Sequence, residues 1–317
     1  MGPRLIEALR TAAVGLLMGA AEVVPGVSGG TIAFISGIYE RLVNSLRQFT
    51  PYLLVMLKNH GIRAVWQRVD AGFLLVLFGG MAVSVLLFAS AVGYLLDHEP
   101  VGIWSFFFGL VIASTFVVYR QIERRGFDLM FACGAGAAVG LVITTLVPIE
   151  LAPTPLFIFF AGAVAVCAWI LPGLSGSFIL LILGLYGFVL DAVRQFDLMT
   201  LGALGAGCAV GLVSFAQILS RLFRYFRNET LAVLTGFMLG SLVKLWPWKH
   251  TLSYQLKADG SQIPLVQEPV MPSTYAAMTG SDPQVMVAIL AAVGGCGLVL
   301  LIHYLASVSG ENRVEFR

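Results

Sequence analysis

The sequence predicts an all-α integral membrane protein built as an inverted repeat, each half being one re-entrant helical hairpin plus three transmembrane helices. Three observations carry that reading. Hydrophobic residues make up 58% of the 317-residue chain and charged ones only 11%, with mean hydropathy +0.90, where soluble domains carry about 25% charged residues. Apolar runs close to the ~20 residues needed to cross a bilayer recur along the chain. The stretch Pro25-Gly26-Val27-Ser28-Gly29-Gly30 returns as Pro172-Gly173-Leu174-Ser175-Gly176-Ser177, each time inside an apolar segment.

The first half, residues 1–147, opens with a hairpin over 5–48. Its arms, Thr11–Val24 and Val27–Tyr39, hold 14 and 13 residues, too few to cross singly. They predict two half-helices that meet near mid-membrane and return to the same side. A Pro-Gly break leaves backbone N–H and C=O groups that hydrocarbon cannot satisfy, so it must be buried in protein or line a polar cavity. Arg4 and Arg10 before an apolar run, with small residues at Gly19–Ala21, are compatible with a cleaved signal peptide. Thr11–Ala21 belongs to the repeat, however, and is expected to be kept. Residues 50–70 read as an insertion, followed by spans at Ala71–Leu96, Gly102–Tyr119 and Leu129–Val147.

The second half, 148–317, begins with a hairpin over 151–194. Its arms, Leu151–Leu171 and Leu174–Leu190, are long enough to span, so their re-entrant assignment follows from symmetry. Spans come next at Leu198–Leu219, Leu231–Trp246 and Val285–Ala306. The polar loop 247–283, with five prolines, reads as an external cover over the outer mouth. The two halves match without gaps at an offset of 147 residues from Ala21/Ala168 to Phe49/Phe196, including Gly37/Gly184 and Tyr39/Tyr186. Downstream the offset becomes 127, then 157, where Gly140-Leu141-Val142 pairs with Gly297-Leu298-Val299.

Charge sets the orientation. Met1–Arg10, 41–70, 120–128, 221–229 and the C-terminal tail carry fifteen of the nineteen Lys and Arg residues, leaving Arg194, Lys244, Lys249 and Lys257 for the other side. The positive-inside rule makes the first group, and both termini, cytoplasmic. Three spans per half is an odd number, so the second half is inserted upside down and the two hairpin tips converge from opposite faces.

Candidate chemistry gathers at the breaks. Ser28, Gly29, Gly30 and Thr31, and equally Ser175, Gly176 and Ser177, would start a half-helix whose free N–H groups and hydroxyls suit a phosphate or carboxylate. Pro25, Gly26, Pro172 and Gly173 are the hinges. The bland alternative makes the small residues packing contacts where the tips cross. Glu22 is an intramembrane carboxylate, either a proton or cation carrier or a cap holding the tip, and its counterpart is Trp169. Glu40, Arg41 and Arg47 end the first hairpin, and Asp191 and Arg194 the second; Glu40 and Asp191 join Glu22 as candidate coupling or charge residues. Arg41 and Arg194 are placed to meet a lipid phosphate at each mouth, or to anchor at the interface by snorkelling, the reading at least as good for Arg47. Gln217, Lys244 and His303 are isolated polar residues in or near spans.

Cys133, Cys167, Cys208 and Cys296 all fall in apolar segments and read as small core residues. No nucleotide-binding, metal-ligand or triad pattern occurs, so no cofactor and no metal are expected. A net charge of +2 without a basic patch interleaved by aromatics gives no reason to expect nucleic acid.

The run Glu22-Val23-Val24-Pro25-Gly26-Val27-Ser28-Gly29-Gly30-Thr31, with Gly37-Ile38-Tyr39-Glu40-Arg41-Leu42, resembles a bacterial family of undecaprenyl-phosphate (polyprenyl-phosphate) translocases, formerly catalogued as a domain of unknown function. The resemblance extends through Pro172-Gly173-Leu174-Ser175-Gly176 to essentially the whole chain. The family's acidic position is often Asp where this chain has Glu22. The resemblance implies flipping of a monophosphate carrier lipid from the outer to the inner leaflet of the cytoplasmic membrane, for peptidoglycan and other envelope polymers. Expected partners are then the membrane, a polyprenyl-phosphate lipid and a coupling proton or cation, with homodimerisation left open. Two alternatives belong to other classes. Undecaprenyl-diphosphate phosphatases also have inverted repeats and a Pro-Gly-x-Ser break, but there an Arg follows the Ser and a Glu-rich helix supplies acid–base groups. Here Gly29 and Gly176 follow, and no paired glutamates occur one turn apart. A porter or channel for a small ion is the other alternative.

Overall fold

A computed structural model describes residues 2–24, 27–146, 152–256 and 262–308. Among these residues the chain is helical apart from one two-stranded hairpin. Helices α1 (Pro3–Glu22), α2 (Gly29–Ile35) and α3 (Tyr39–Leu46) form the first broken unit, and α4 (Tyr52–Arg68) follows it on the surface. Helices α5 (Ala71–His98), α6 (Pro100–Arg120) and α7 (Phe127–Thr145) complete the first half. The second half runs α8 (Pro155–Ile170), α9 (Gly176–Ile182), α10 (Tyr186–Gln195), α11 (Leu198–Tyr225) and α12 (Arg227–Leu245). It ends with β1 (Lys249–Leu256), β2 (Gln262–Pro269), α13 (Pro272–Thr279) and α14 (Val285–Val308).

Five helices, α5, α6, α7, α11 and α14, are long and apolar enough to cross a membrane, or six segments if the bent pair α9–α10 counts as one. The chain is therefore a multi-pass helical membrane protein. The expected span at Leu231–Trp246 forms α12. With Arg227 and Glu229 at one end and Lys244 at the other it is less apolar, and α6 and α7 enclose it.

Three features differ from the sequence expectation. The first arm is longer than 14 residues, because α1 begins at Pro3 and runs for 20 residues with Glu7 and Arg10 in its first half. The segment expected as the second arm of each hairpin is itself broken. Gly37 (φ +79°) separates α2 from α3, and Gly184 (φ +68°) separates α9 from α10, which meet at 108°. That left-handed region favours glycine. The loop 247–283 is ordered within the described residues as an antiparallel hairpin, β1 against β2, followed by α13. It is pinned by tryptophans: Trp246 Nε1 donates to Val270 O (2.8 Å) and Trp248 Nε1 to Pro283 O (2.7 Å).

Glycines set the helix seams. A Cβ on Gly15 would strike the Leu77 carbonyl and one on Gly80 the Ala12 carbonyl, holding α1 against α5. Gly162 meets the Leu204 carbonyl and Gly207 the Phe159 carbonyl in the same way, joining α8 to α11. Between α6 and α14, Gly109 abuts Ala292 and Gly295 abuts Phe106. Between α12 and α7, Gly236 abuts Cys133 and Gly136 abuts Val233. These seams relate α7 to α14 by 159 residues (Gly136 to Gly295), two more than the 157 read from the sequence. These seams cross the boundary expected between the halves, α6 packing with α14 and α12 with α7.

Candidate functional site

The two Pro-Gly breaks meet. Pro25 and Gly26 lie outside the described residues, but both sides of that break are placed, and they touch the second one. Ser28 caps α2: its Oγ accepts from Gly30 N–H (3.1 Å) and donates to Trp169 O (3.0 Å) at the end of α8. Thr31 Oγ1 accepts from Gly173 N–H (3.1 Å), and Tyr39 OH donates to Ile170 O (3.1 Å). Gly30 lies so close to the Ile170 carbonyl that a Cβ would overlap it. Ser28 and Thr31 are both 0% exposed. Carbonyls and amides freed by the second break are thereby satisfied by hydroxyls of the first, as burial away from water demands.

Glu22 turns back onto the same junction. Its Oε1 accepts from Gly29 N–H at 2.6 Å, while Thr31 N–H reaches Ser28 O at 3.0 Å. All three leading N–H groups of α2 are therefore engaged, one of them by a carboxylate. The second break is built alike but lacks the acid. Pro172 and Gly173 form the turn, and Gly173 has φ +85° and packs against the backbone of Met238 in α12. Ser175 caps α9, with Oγ 3.5 Å from Phe178 N and 2.9 Å from Ser177 Oγ. Gly176 abuts the Ala165 carbonyl and Trp169.

The charged residues expected at the hairpin ends sit elsewhere. Arg41 is held by Glu7 (2.6 Å) and Asp70 (2.6 Å), with its guanidinium 4.3 Å from the Phe73 ring centroid. Glu40 accepts from Arg227 at 2.9 Å. Asp191 and Arg194 lie 3.8 Å apart on an exposed face of α10. Arg47 donates to Ser220 Oγ at 2.6 Å. None of these contacts involves Ser28 or Ser175.

Tyr39 was not singled out for chemistry in the sequence, although its pairing with Tyr186 was visible. Its ring is 4.8 Å from Phe34 and 5.8 Å from Phe223, which seats α2 and α3 on α11 and aims the hydroxyl at Ile170. Trp169, noted as the apolar counterpart of Glu22, contributes twice: its backbone carbonyl accepts from Ser28, a role that side-chain type does not reveal, and its side chain hydrogen-bonds the Glu22 carboxylate.

The chain is 45% identical over 300 residues to a protein of Vibrio cholerae serotype O1 named polyprenyl-phosphate transporter, covering 95% of this chain and 97% of that one. A Staphylococcus aureus protein of the same name is 29% identical over 265 residues, covering 74% of this chain and 84% of that one. No solved structure is similar to the chain. Residues 18–263 match the VCA0040-like family, described as undecaprenyl phosphate translocase-like, and with that extent of match the chain belongs to this family.

Proposed function

We propose that the chain carries a polyprenyl phosphate across the bilayer, taking the monophosphate carrier lipid from the outer to the inner leaflet of the bacterial cytoplasmic membrane for reuse in envelope polymers. The names of the two relatives support the substrate class. The carrying observation is the junction itself: an acidic oxygen, Glu22 Oε1, already sits on the leading N–H of α2 where the two breaks interlock. A site that seats a carboxylate has the donors a phosphate needs.

A lipid phosphate does not cross hydrocarbon unaided, because burying an unpaired ion costs several kcal/mol even after relaxation. In this reading the prenyl tail stays in lipid and the head group passes along the junction. Ser28, Thr31, Ser175 and Ser177 with the glycine N–H groups of α2 and α9 replace its hydration. The phosphate and the Glu22 carboxylate would compete for Gly29 N–H. Glu22 therefore leaves its donor, or takes up a proton, as the lipid arrives, which couples transport to a proton or cation. The first hairpin enters from the cytoplasm and the second from outside, as the fifteen-to-four charge bias favours. Rocking of one repeat against the other would expose the junction to each leaflet in turn. A hydrolase is disfavoured by the serines, since Ser28 and Ser175 are buried helix caps with their hydroxyls engaged.

The test is translocation of a fluorescent polyprenyl monophosphate in proteoliposomes, read by its accessibility to a membrane-impermeant quencher. The protein should accelerate transfer without releasing phosphate, and Glu22→Gln should bind the lipid yet not move it. Transfer no faster than in empty liposomes sinks the function. Unchanged transfer by Glu22→Gln at every pH tested removes the coupling.

A further inference from the structure

Beyond the junction, the outer end of α12 holds two lysines that the transport reading does not use. Lys249, the first residue of β1, has its Nζ 3.1 Å from the centroid of the Trp104 ring on α6. That amine nitrogen is buried and has no hydrogen-bond partner among the described residues. Burial, and secondly the charge of Lys244, pushes its pKa well below the usual lysine range. Lys244, in the last turn of α12, has its Nζ 4.7 Å from the centroid of the Phe178 ring. Phe178 is the residue whose N–H the Ser175 cap receives. Among the described residues neither lysine has a carboxylate within 4.0 Å.

Two lysine side chains drawn together out of water, with aromatic faces but no counter-anion among the described residues, hold charge at a cost that a ring alone does not offset. A cation–π contact is worth less than the desolvation and like-charge repulsion it faces. An arriving dianion or monoanion offsets both. The position is also apt. Along α12, Met238 and Ser241 approach Gly173 of the second break, and Lys244 follows one turn later. A head group leaving Lys249 for Lys244 thus comes beside Ser175 and Ser177.

We propose that Lys244 and Lys249 form a dibasic receiving site for a phosphate group at the outer end of α12, from which the group passes to the junction of the breaks. This rests on the transport reading, and the phosphate could belong to the lipid head group or to a free ion. The tryptophans give a direct readout, since Trp104, Trp246 and Trp248 all lie at this end.

Binding is followed by tryptophan fluorescence of the full chain in nanodiscs, titrated separately with polyprenyl monophosphate and with inorganic phosphate. Lys249→Met and Lys244→Met should each weaken binding about 10-fold or more, in keeping with loss of a charge-assisted contact. Lys249→Arg should restore it to within about 3-fold, because charge is kept. Lys58→Met on exposed α4 should change nothing. Removing a buried, unpartnered amine should leave the ligand-free protein at least as thermally stable, so misfolding does not mimic the result. A response to the lipid alone assigns the site to the head group, and an equal response to inorganic phosphate assigns it to the free ion. Wild-type binding with unchanged dissociation constants in both Met variants overturns the lysine site and leaves the transport reading standing. A wild-type protein that binds neither probe overturns both.

Discussion

Ser28 donates to Trp169 O while accepting from Gly30 N–H, so its hydroxyl has no free proton for a ligand until the second break moves away. Thr31 differs: its oxygen is the acceptor for Gly173 N–H, a bond that occupies a lone pair and leaves its own O–H proton to donate. These contacts are structural bonds and, in the proposed transport, also the bonds to be exchanged. Thr31→Val keeps the shape and leaves Gly173 N–H buried and unpaired, which should cost about 1–3 kcal/mol. Tyr39→Phe strands only a carbonyl, and should cost about 0.5–1.5 kcal/mol. Both side chains tie the first unit to the same four-residue turn, 170–173. Their effects on thermal unfolding in detergent should therefore be non-additive. Strictly additive shifts would mean that the two contacts do not act on one junction.

At the scale of elements, glycines decide where helices touch. Gly236→Val in α12 would drive a branched side chain into the backbone of Cys133 on α7, costing about 1–3 kcal/mol or more. Gly205→Ala in α11 meets nothing within 4 Å and should gain about 0.5–1 kcal/mol from reduced backbone freedom. Melting temperatures of the two variants should move in opposite directions. Most helices were legible because each is a long apolar run, and the breaks because Pro-Gly interrupts such a run twice. The second set of breaks was less legible. Gly37 and Gly184 stood in the ungapped match, but a glycine within an apolar arm also reads as a packing contact, and only the positive φ values separate the two. The β-hairpin left a signal too, in the alternation of Leu252, Tyr254 and Leu256 with polar residues. The prolines around it pointed to irregular loop instead. The two-residue difference in offset between α7 and α14 has a simple cause: small apolar residues match in several registers, while backbone collisions allow one.

For the whole molecule, the open question is how the two broken units sit in the bilayer, and arithmetic on helix crossings makes it testable. If α1–α3 is re-entrant, Gly2 and Lys58 lie on one side. If α8–α10 is re-entrant, Ala152 and Gln195 share the opposite side, together with Ser273 in α13. All five residues are exposed. Single cysteines at these positions, in a background where Cys133, Cys167, Cys208 and Cys296 are replaced by alanine, can be labelled in cells by a membrane-impermeant maleimide. The positive-inside bias predicts labelling of Ala152→Cys, Gln195→Cys and Ser273→Cys from outside, and of Gly2→Cys and Lys58→Cys only after the membrane is opened. A single crossing by the first unit would separate Gly2 from Lys58, and one by the second would separate Ala152 from Gln195. Either split would remove the opposed hairpins, leaving Glu22 and the interlocked serines as a packing feature of an ordinary bundle.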